Sequence, residues 1–153
     1  VKFAAFTKKF LNSPQLLQVD DPSTISSLNI NKNHKIYIVS HGFLELGNAP
    51  WFIKIKNELI KFDEDATVIL VDWRGGSSPP YYQSVANIRL VGAIVAHMIS
   101  SIFEELKLEN LDNLHLIGHS LGEEGFKIPK ITGRRSPALQ RRFYSPNQSP
   151  ENL

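Results

Sequence analysis

The chain has 153 residues, 42% of them hydrophobic, with a formal charge of +2, which suits one α/β domain or part of one because such domains commonly run to about 200 residues or more. It contains no cysteine, so a disulfide framework and a thiolate metal site are excluded. Charge divides by position: residues 1–126 carry 11 Lys and Arg against 14 Asp and Glu, net −3, and residues 127–153 carry 6 basic groups against Glu151, net +5; the basicity belongs to the last stretch and gives the body no nucleic-acid character.

Lys2-Phe3-Ala4-Ala5-Phe6-Thr7 predicts a short strand, Asp20-Asp21-Pro22-Ser23-Thr24 a turn, and Asn29 to His34 a polar connection. Lys35-Ile36-Tyr37-Ile38-Val39-Ser40 is a β-branched and aromatic run of strand length that empties into His41-Gly42-Phe43. Trp51, Phe52, Ile55, Leu59 and Phe62 recur at helical spacing and predict an amphipathic helix over a sheet face. Thr67-Val68-Ile69-Leu70-Val71 is a further strand with Asp72 at its carboxyl end, and Gly75-Gly76-Ser77-Ser78-Pro79-Pro80 breaks regular structure. Val85, Ile88, Val91, Val95, Met98, Ile102 and Leu106 mark a long helix; Leu90 to Ile102 contains His97 in an amphipathic pattern and is not read as a membrane span. Leu114-His115-Leu116-Ile117 then reads as a strand of buried character. Strands alternating with helices predict a mostly parallel sheet with helices on both faces.

In such a sheet function gathers at the carboxyl ends of the strands, and three stand out: Ser40 into His41-Gly42-Phe43, Val71 into Asp72-Trp73-Arg74, and Ile117 into Gly118-His119-Ser120-Leu121-Gly122. The last is a Gly-x-Ser-x-Gly after an apolar run, the form of a nucleophile elbow, where a strand turns sharply into a helix and lifts one hydroxyl above the sheet. Ser120 is the candidate nucleophile, and Gly118 and Gly122 leave room for strand and helix to press together. An acyl transfer also needs two backbone amides for the oxyanion, one after the nucleophile and one from an earlier strand's loop; Leu121 and Phe43 occupy those places. Asp72-Trp73, His41, Trp51 and Tyr81-Tyr82 are read first as structural residues, Asp72 capping a turn and His41 anchoring backbone. No His-Glu-x-x-His or other metal motif occurs, and no cofactor is expected.

Asp21-Pro22-Ser23-Thr24-Ile25, His41-Gly42-Phe43, Val71-Asp72-Trp73-Arg74-Gly75-Gly76-Ser77, Ala86-Asn87-Ile88-Arg89-Leu90-Val91-Gly92-Ala93 and Gly118-His119-Ser120-Leu121-Gly122 resemble, in order and spacing, the amino-terminal half of the animal pancreatic-lipase family over residues 1–122. The resemblance implies an α/β-hydrolase fold, incomplete here at the carboxyl end, and hydrolysis of acylglycerol or phospholipid esters at a lipid surface outside the cell. It puts the nucleophile on Ser120 and the oxyanion amides on Phe43 and Leu121.

Beyond Gly122 the pattern departs. In this fold the triad runs Ser, then Asp or Glu, then His, whereas His34, His41, His97, His115 and His119 all precede Ser120. Ile128-Pro129-Lys130-Ile131-Thr132-Gly133 resembles the family's strand toward the triad acid, but Arg134-Arg135 stands where a Leu-Asp pair belongs. Only Glu123 to Lys127 precedes it, about one turn, and paired carboxylates suit a buried helix poorly. Residues 1–126 are thus expected to form a partial lipase domain and 127–153 a divergent, basic, Pro-rich flexible tail; its Asn147-Gln148-Ser149 sequon is weakened by Pro150. A start at Val1 with no signal-peptide pattern suggests a processed product or a piece of a longer reading frame. The expected function is a lipase-like serine ester hydrolase in altered or truncated form. The alternative is a non-catalytic lipid-binding or interaction protein without triad Asp and His. The expected partner is a lipid ester or lipid surface, with no nucleic acid and no transmembrane segment, and a protein partner is not indicated. Half such a domain would also leave sheet edges and apolar helix faces uncovered.

Overall fold

The structure is a computed structural model that describes residues 1–28, 30 and 33–127. Five strands, β1 (Lys2–Phe6), β2 (Gln15–Leu17), β3 (Ile36–Ser40), β4 (Thr67–Asp72) and β5 (Leu114–Gly118), form one sheet in the order β2-β1-β4-β3-β5. β3 runs parallel to both β4 and β5, with Ser40 level with Val71 and with Gly118. β1 runs antiparallel to β2 and β4. The sheet is therefore mixed rather than mostly parallel: the eight residues between β1 and β2 are a hairpin-length link, too short for the crossover that parallel neighbours need.

The strands divide the core by alternation. Phe3, Ala5, Ile36, Ile38, Ile69 and Val71 point to one face, covered by α1 (Ser23–Ser26), α3 (Tyr81–Glu105) and α4 (Leu121–Lys127). Phe6, Tyr37, Val39, Val68 and Leu70 point to the other, covered by α2 (Pro50–Phe62) through Phe52 and Ile60. Two-residue periodicity sends successive side chains of one strand to opposite helices, and each large side chain so buried contributes about 1.5–3 kcal/mol. Pro50 opens α2 at the position where a missing N–H is harmless. α3 is long and apolar enough to span a membrane by length and composition, but it lies on the sheet with Ile88, Val91, Val95, Met98, Ile99 and Ile102 buried.

Two sequence expectations change at the carboxyl end. β5 pairs with β3 at the margin of the sheet and is half-buried at all five positions, not buried, because no described strand lies beyond it. After it, α4 spans seven residues rather than about one turn, since it begins at Leu121 directly after the elbow. Its carboxylates do not enter the core: Glu124 is exposed, Glu123 half-buried, and both meet Lys127, at 2.8 and 3.2 Å, while Leu121 and Phe126 face inward. Acids in its first turn and a lysine in its last also match the helix dipole. The expected tail, its Arg134-Arg135 and its sequon lie outside the described residues, as does all but Lys127 of residues 127–153.

Candidate active site

The elbow is a strand-to-helix turn of two residues, His119 and Ser120, between the end of β5 at Gly118 and the start of α4 at Leu121. Ser120 sits at φ +53°, the left-handed region that a side chain enters at a cost of about 1–2 kcal/mol. The turn closes through the Gly122 amide on the His119 carbonyl and the Glu123 amide on the Ser120 carbonyl, both 3.0 Å. A Cβ on Gly122 would fall 2.3 Å from the His41 carbonyl oxygen, and one on Gly118 would meet the Glu123 backbone, so both glycines are required by close approach. Ser120 is exposed, and among the described residues no side chain hydrogen-bonds its hydroxyl. Leu121 is the first residue of α4, so its amide has no partner within the helix.

The loop after β3 comes against this turn. The His119 amide donates to the Ser40 carbonyl at 3.1 Å, and a Cβ on Gly42 would lie 3.1 Å from Ser120 Cβ. Phe43, next along, meets Tyr81 edge-on at 5.0 Å, and the Leu44 amide donates to the Ser77 carbonyl at 2.9 Å. The fold thus brings Phe43, Ser120 and Leu121 to one place, while His34, on the far side of β3, pairs with Asp65 and His97 lies exposed on α3.

His41 is fully buried and sets the direction of a peptide plane. Two groups approach its Nε2: the Trp73 amide at 3.0 Å and Asp72 Oδ1 at 3.3 Å. The shorter contact comes from a fixed main-chain donor, so Nε2 accepts and Nδ1 carries the proton, which it donates to the Gly42 carbonyl at 3.0 Å. In a trans peptide the C=O and the following N–H point oppositely, so the bond that holds Gly42 C=O aims Phe43 N–H. The Trp73 indole returns to the His41 carbonyl at 2.7 Å, and the two rings stack at 5.6 Å. Asp72 accepts instead from Arg74, whose amide and guanidinium reach it at 2.6–3.1 Å. Burial works to raise the Asp72 pKa, and the Arg74 bonds outweigh it, leaving it below the usual value.

Glu45 was not singled out by sequence. Its Oε2 accepts from the Gly42 amide at 2.5 Å and faces His119 Nδ1 at 3.0 Å, and its Oε1 accepts from the Trp51 indole at 2.8 Å. Burial again works to raise its pKa, but the Gly42 amide and then His119 and Trp51 hold it below the usual range. The one sequence signal is its place: a carboxylate in the loop that follows a strand, six residues before a tryptophan. Among the described residues no group of three or more His, Asp or Glu side chains could hold a metal ion.

A strand-to-helix turn with a serine at positive φ, facing the loop of a neighbouring parallel strand, is the geometry of α/β-hydrolases. The lipase family model matches residues 1–136. The chain belongs to the lipase family. Among curated proteins it is 37% identical over 138 residues to pancreatic lipase-related protein 2 of Myocastor coypus, covering 87% of this chain and 29% of that protein. It is 40% identical over 121 residues to pancreatic triacylglycerol lipase of Sus scrofa, covering 79% and 26%. It is also 34% identical over 140 residues to inactive pancreatic lipase-related protein 1 of Homo sapiens, covering 92% and 29%. This lipase-family chain spans less than a third of the length of these relatives, one of which is named inactive. The family match runs past Gly122, through the region where the motifs depart.

Proposed function

We propose that the site is that of a serine ester hydrolase acting on lipid esters, acylglycerol or phospholipid, at a lipid surface outside the cell. The observation that carries it is Ser120 at φ +53° on the turn between β5 and α4, exposed and packed beside the Gly42-Phe43 loop. In this reading Ser120 Oγ attacks the ester carbonyl carbon and its proton passes to a base. The carbonyl oxygen becomes an oxyanion held by the Phe43 and Leu121 amides, each such donor contributing about 3 kcal/mol. The ester C–O bond breaks, the alcohol departs with a proton, and water then cleaves the acyl-serine.

The fold places the acid and base after the nucleophile, and the histidines of this chain all precede it. His119 is adjacent, but its Nδ1 is taken by Glu45. Loss of triad members lowers turnover by about 10⁴ to 10⁶, so the chain as given is expected to turn over slowly. That same observation favours a second reading, a lipid-binding protein that keeps the lipase face without catalysis. A fluorophosphonate that labels serine nucleophiles separates the two. The first reading expects label on the peptide holding Ser120, lost in Ser120→Ala. Unlabelled protein that still floats with a triolein-phosphatidylcholine emulsion supports the second, and label on another serine refutes the first.

A further inference from the structure

The loop that carries Phe43 has a mechanical weakness and, in Glu45, a device that answers it. Gly42 sits where a Cβ would be crowded, 3.0 Å from the His119 carbonyl oxygen and 3.1 Å from Ser120 Cβ, so a side chain there would force its neighbours to give by a few tenths of an ångström. Glycine, however, is the residue least able to hold its own φ and ψ. Its two peptide planes are fixed from outside: the carbonyl side by His41, and the N–H side by Glu45. The Glu45 carboxylate reaches three elements at once, its own loop through Gly42, α2 through Trp51 and the elbow through His119. Surface carboxylate pairs are generally worth little, but this side chain is only 21% exposed and two of its three donors are a main-chain amide and a half-buried indole.

We infer that Glu45 is a positioning residue whose carboxylate latches the loop after β3 to the elbow turn, holding the Phe43 amide and Ser120 in one relative placement. Its use in catalysis rests on the ester-hydrolase reading; the latch does not. Ionised, the carboxylate accepts from donors on both of its oxygens. A neutral amide cannot, since its NH₂ must face one of those donors. The titratable group facing Glu45 from another element is His119, and the Asp72–Arg74 pair stands behind it against Gly47.

The test is an acid titration of the ¹⁵N-labelled chain by NMR. The Gly42 amide and Trp51 indole N–H resonances are expected to move together with a single midpoint, and Glu45→Gln is expected to remove that titration from both. In Glu45→Gln, hydrogen exchange of the Leu44 amide, bonded to the Ser77 carbonyl, is expected to rise at least about tenfold as the loop opens more often. Glu45→Asp, which keeps the charge, retains a common titration, and Glu64→Gln, on an exposed acid paired with Lys8, changes neither resonance. Separate midpoints in the parent, or unchanged Leu44 exchange in Glu45→Gln, overturn the latch. The fluorophosphonate reaction reads the other claim: where Ser120 is labelled in the parent, Glu45→Gln slows labelling by about 10- to 100-fold, the scale of a misplaced reacting group. A parent that takes no label there defeats the hydrolase reading and leaves the NMR result to decide the latch.

Discussion

Replacing Gly92 by alanine sets two known effects of opposite sign against each other. Gly92 lies inside α3, where alanine is intrinsically favoured by about 1 kcal/mol. A Cβ at that position, however, would fall 2.2 Å from the carbonyl oxygen of Gly125 in α4. Carbon and oxygen approach to about 3.3 Å at closest, so α4 must retreat by about 1 Å, and the obstacle is backbone that cannot rotate aside. Overpacking of this kind costs about 1–3 kcal/mol, which leaves a net loss of up to about 2 kcal/mol after the propensity gain. For a chain of this size about 3 °C accompanies each kcal/mol, so the midpoint of thermal unfolding followed by circular dichroism should fall, by up to about 6 °C. A rise in Tm would mean that propensity wins and that α3 and α4 do not meet at these glycines. Gly75→Ala is the control: nothing lies within 4 Å of a Cβ there, so its effect stays within about 0.5 kcal/mol. Since α4 begins at the residue after Ser120, the same retreat should slow fluorophosphonate labelling of that serine.

Other outcomes follow from the same geometry. Ser120→Gly removes the left-handed strain at φ +53° and is expected to raise stability by about 1 kcal/mol while abolishing labelling; a lower Tm would count against the strained turn. Glu45 and Asp72 both have depressed folded-state pKa values, so the stability they contribute is complete above their unfolded values of 4.5 and 3.8 and is lost as pH falls through the lower folded ones. Chemical denaturation between neutral pH and pH 3 should show that slope, and Glu45→Gln should flatten its upper part. Lys56 gives a slope of the same sign in the alkaline range, from a charge that burial disfavours: it is 3% exposed, donates to the Leu11 carbonyl at 2.7 Å and has its pKa lowered by burial. The unfolded chain binds the extra proton below 10.5, so this group should make stability rise with pH as that value is approached, and Lys56→Met should abolish the rise. Exposed Leu44, Leu46, Tyr81, Tyr82 and Leu90 should bind a hydrophobic dye, and a chain that leaves the dye dark would show these surfaces to be covered in solution.

What could be read in advance was whatever depends on near neighbours in the chain. β3 and β4 announce themselves through consecutive β-branched residues, and α2 and α3 through apolar spacing, each to within a few residues of Pro50–Phe62 and Tyr81–Glu105. Strand direction was not legible, because the alternation of Phe3 and Ala5 against Ala4 and Phe6 is the same whichever way β1 runs. Gln15–Leu17 has only three residues and becomes a strand by pairing with β1. The two glutamates of α4 suggested an aborted helix, and only the fold shows that they turn outward toward Lys127. Glu45 is hidden for a similar reason: Gly42 and Trp51 are three and six residues away, but the loop bend that turns them onto one carboxylate and the His119 that joins them, 74 residues on, are products of the fold.

The spatial order of the sheet also implies an order in time. As the chain grows from its amino end, β1, β2, β3 and β4 are all available before α3 has been made, whereas the outer side of β3 receives β5 only after that 25-residue helix is complete. Until then one long margin of β3 offers unpaired N–H and C=O groups to any passing strand, the situation that leads nascent sheets into wrong pairings. The turn bearing Ser120 is laid down with β5, and α4 can settle on Gly92 only afterwards. Among the described elements, those that build the site are therefore the last to be made, and the interval before them is when a chaperone that shields strand margins would matter most.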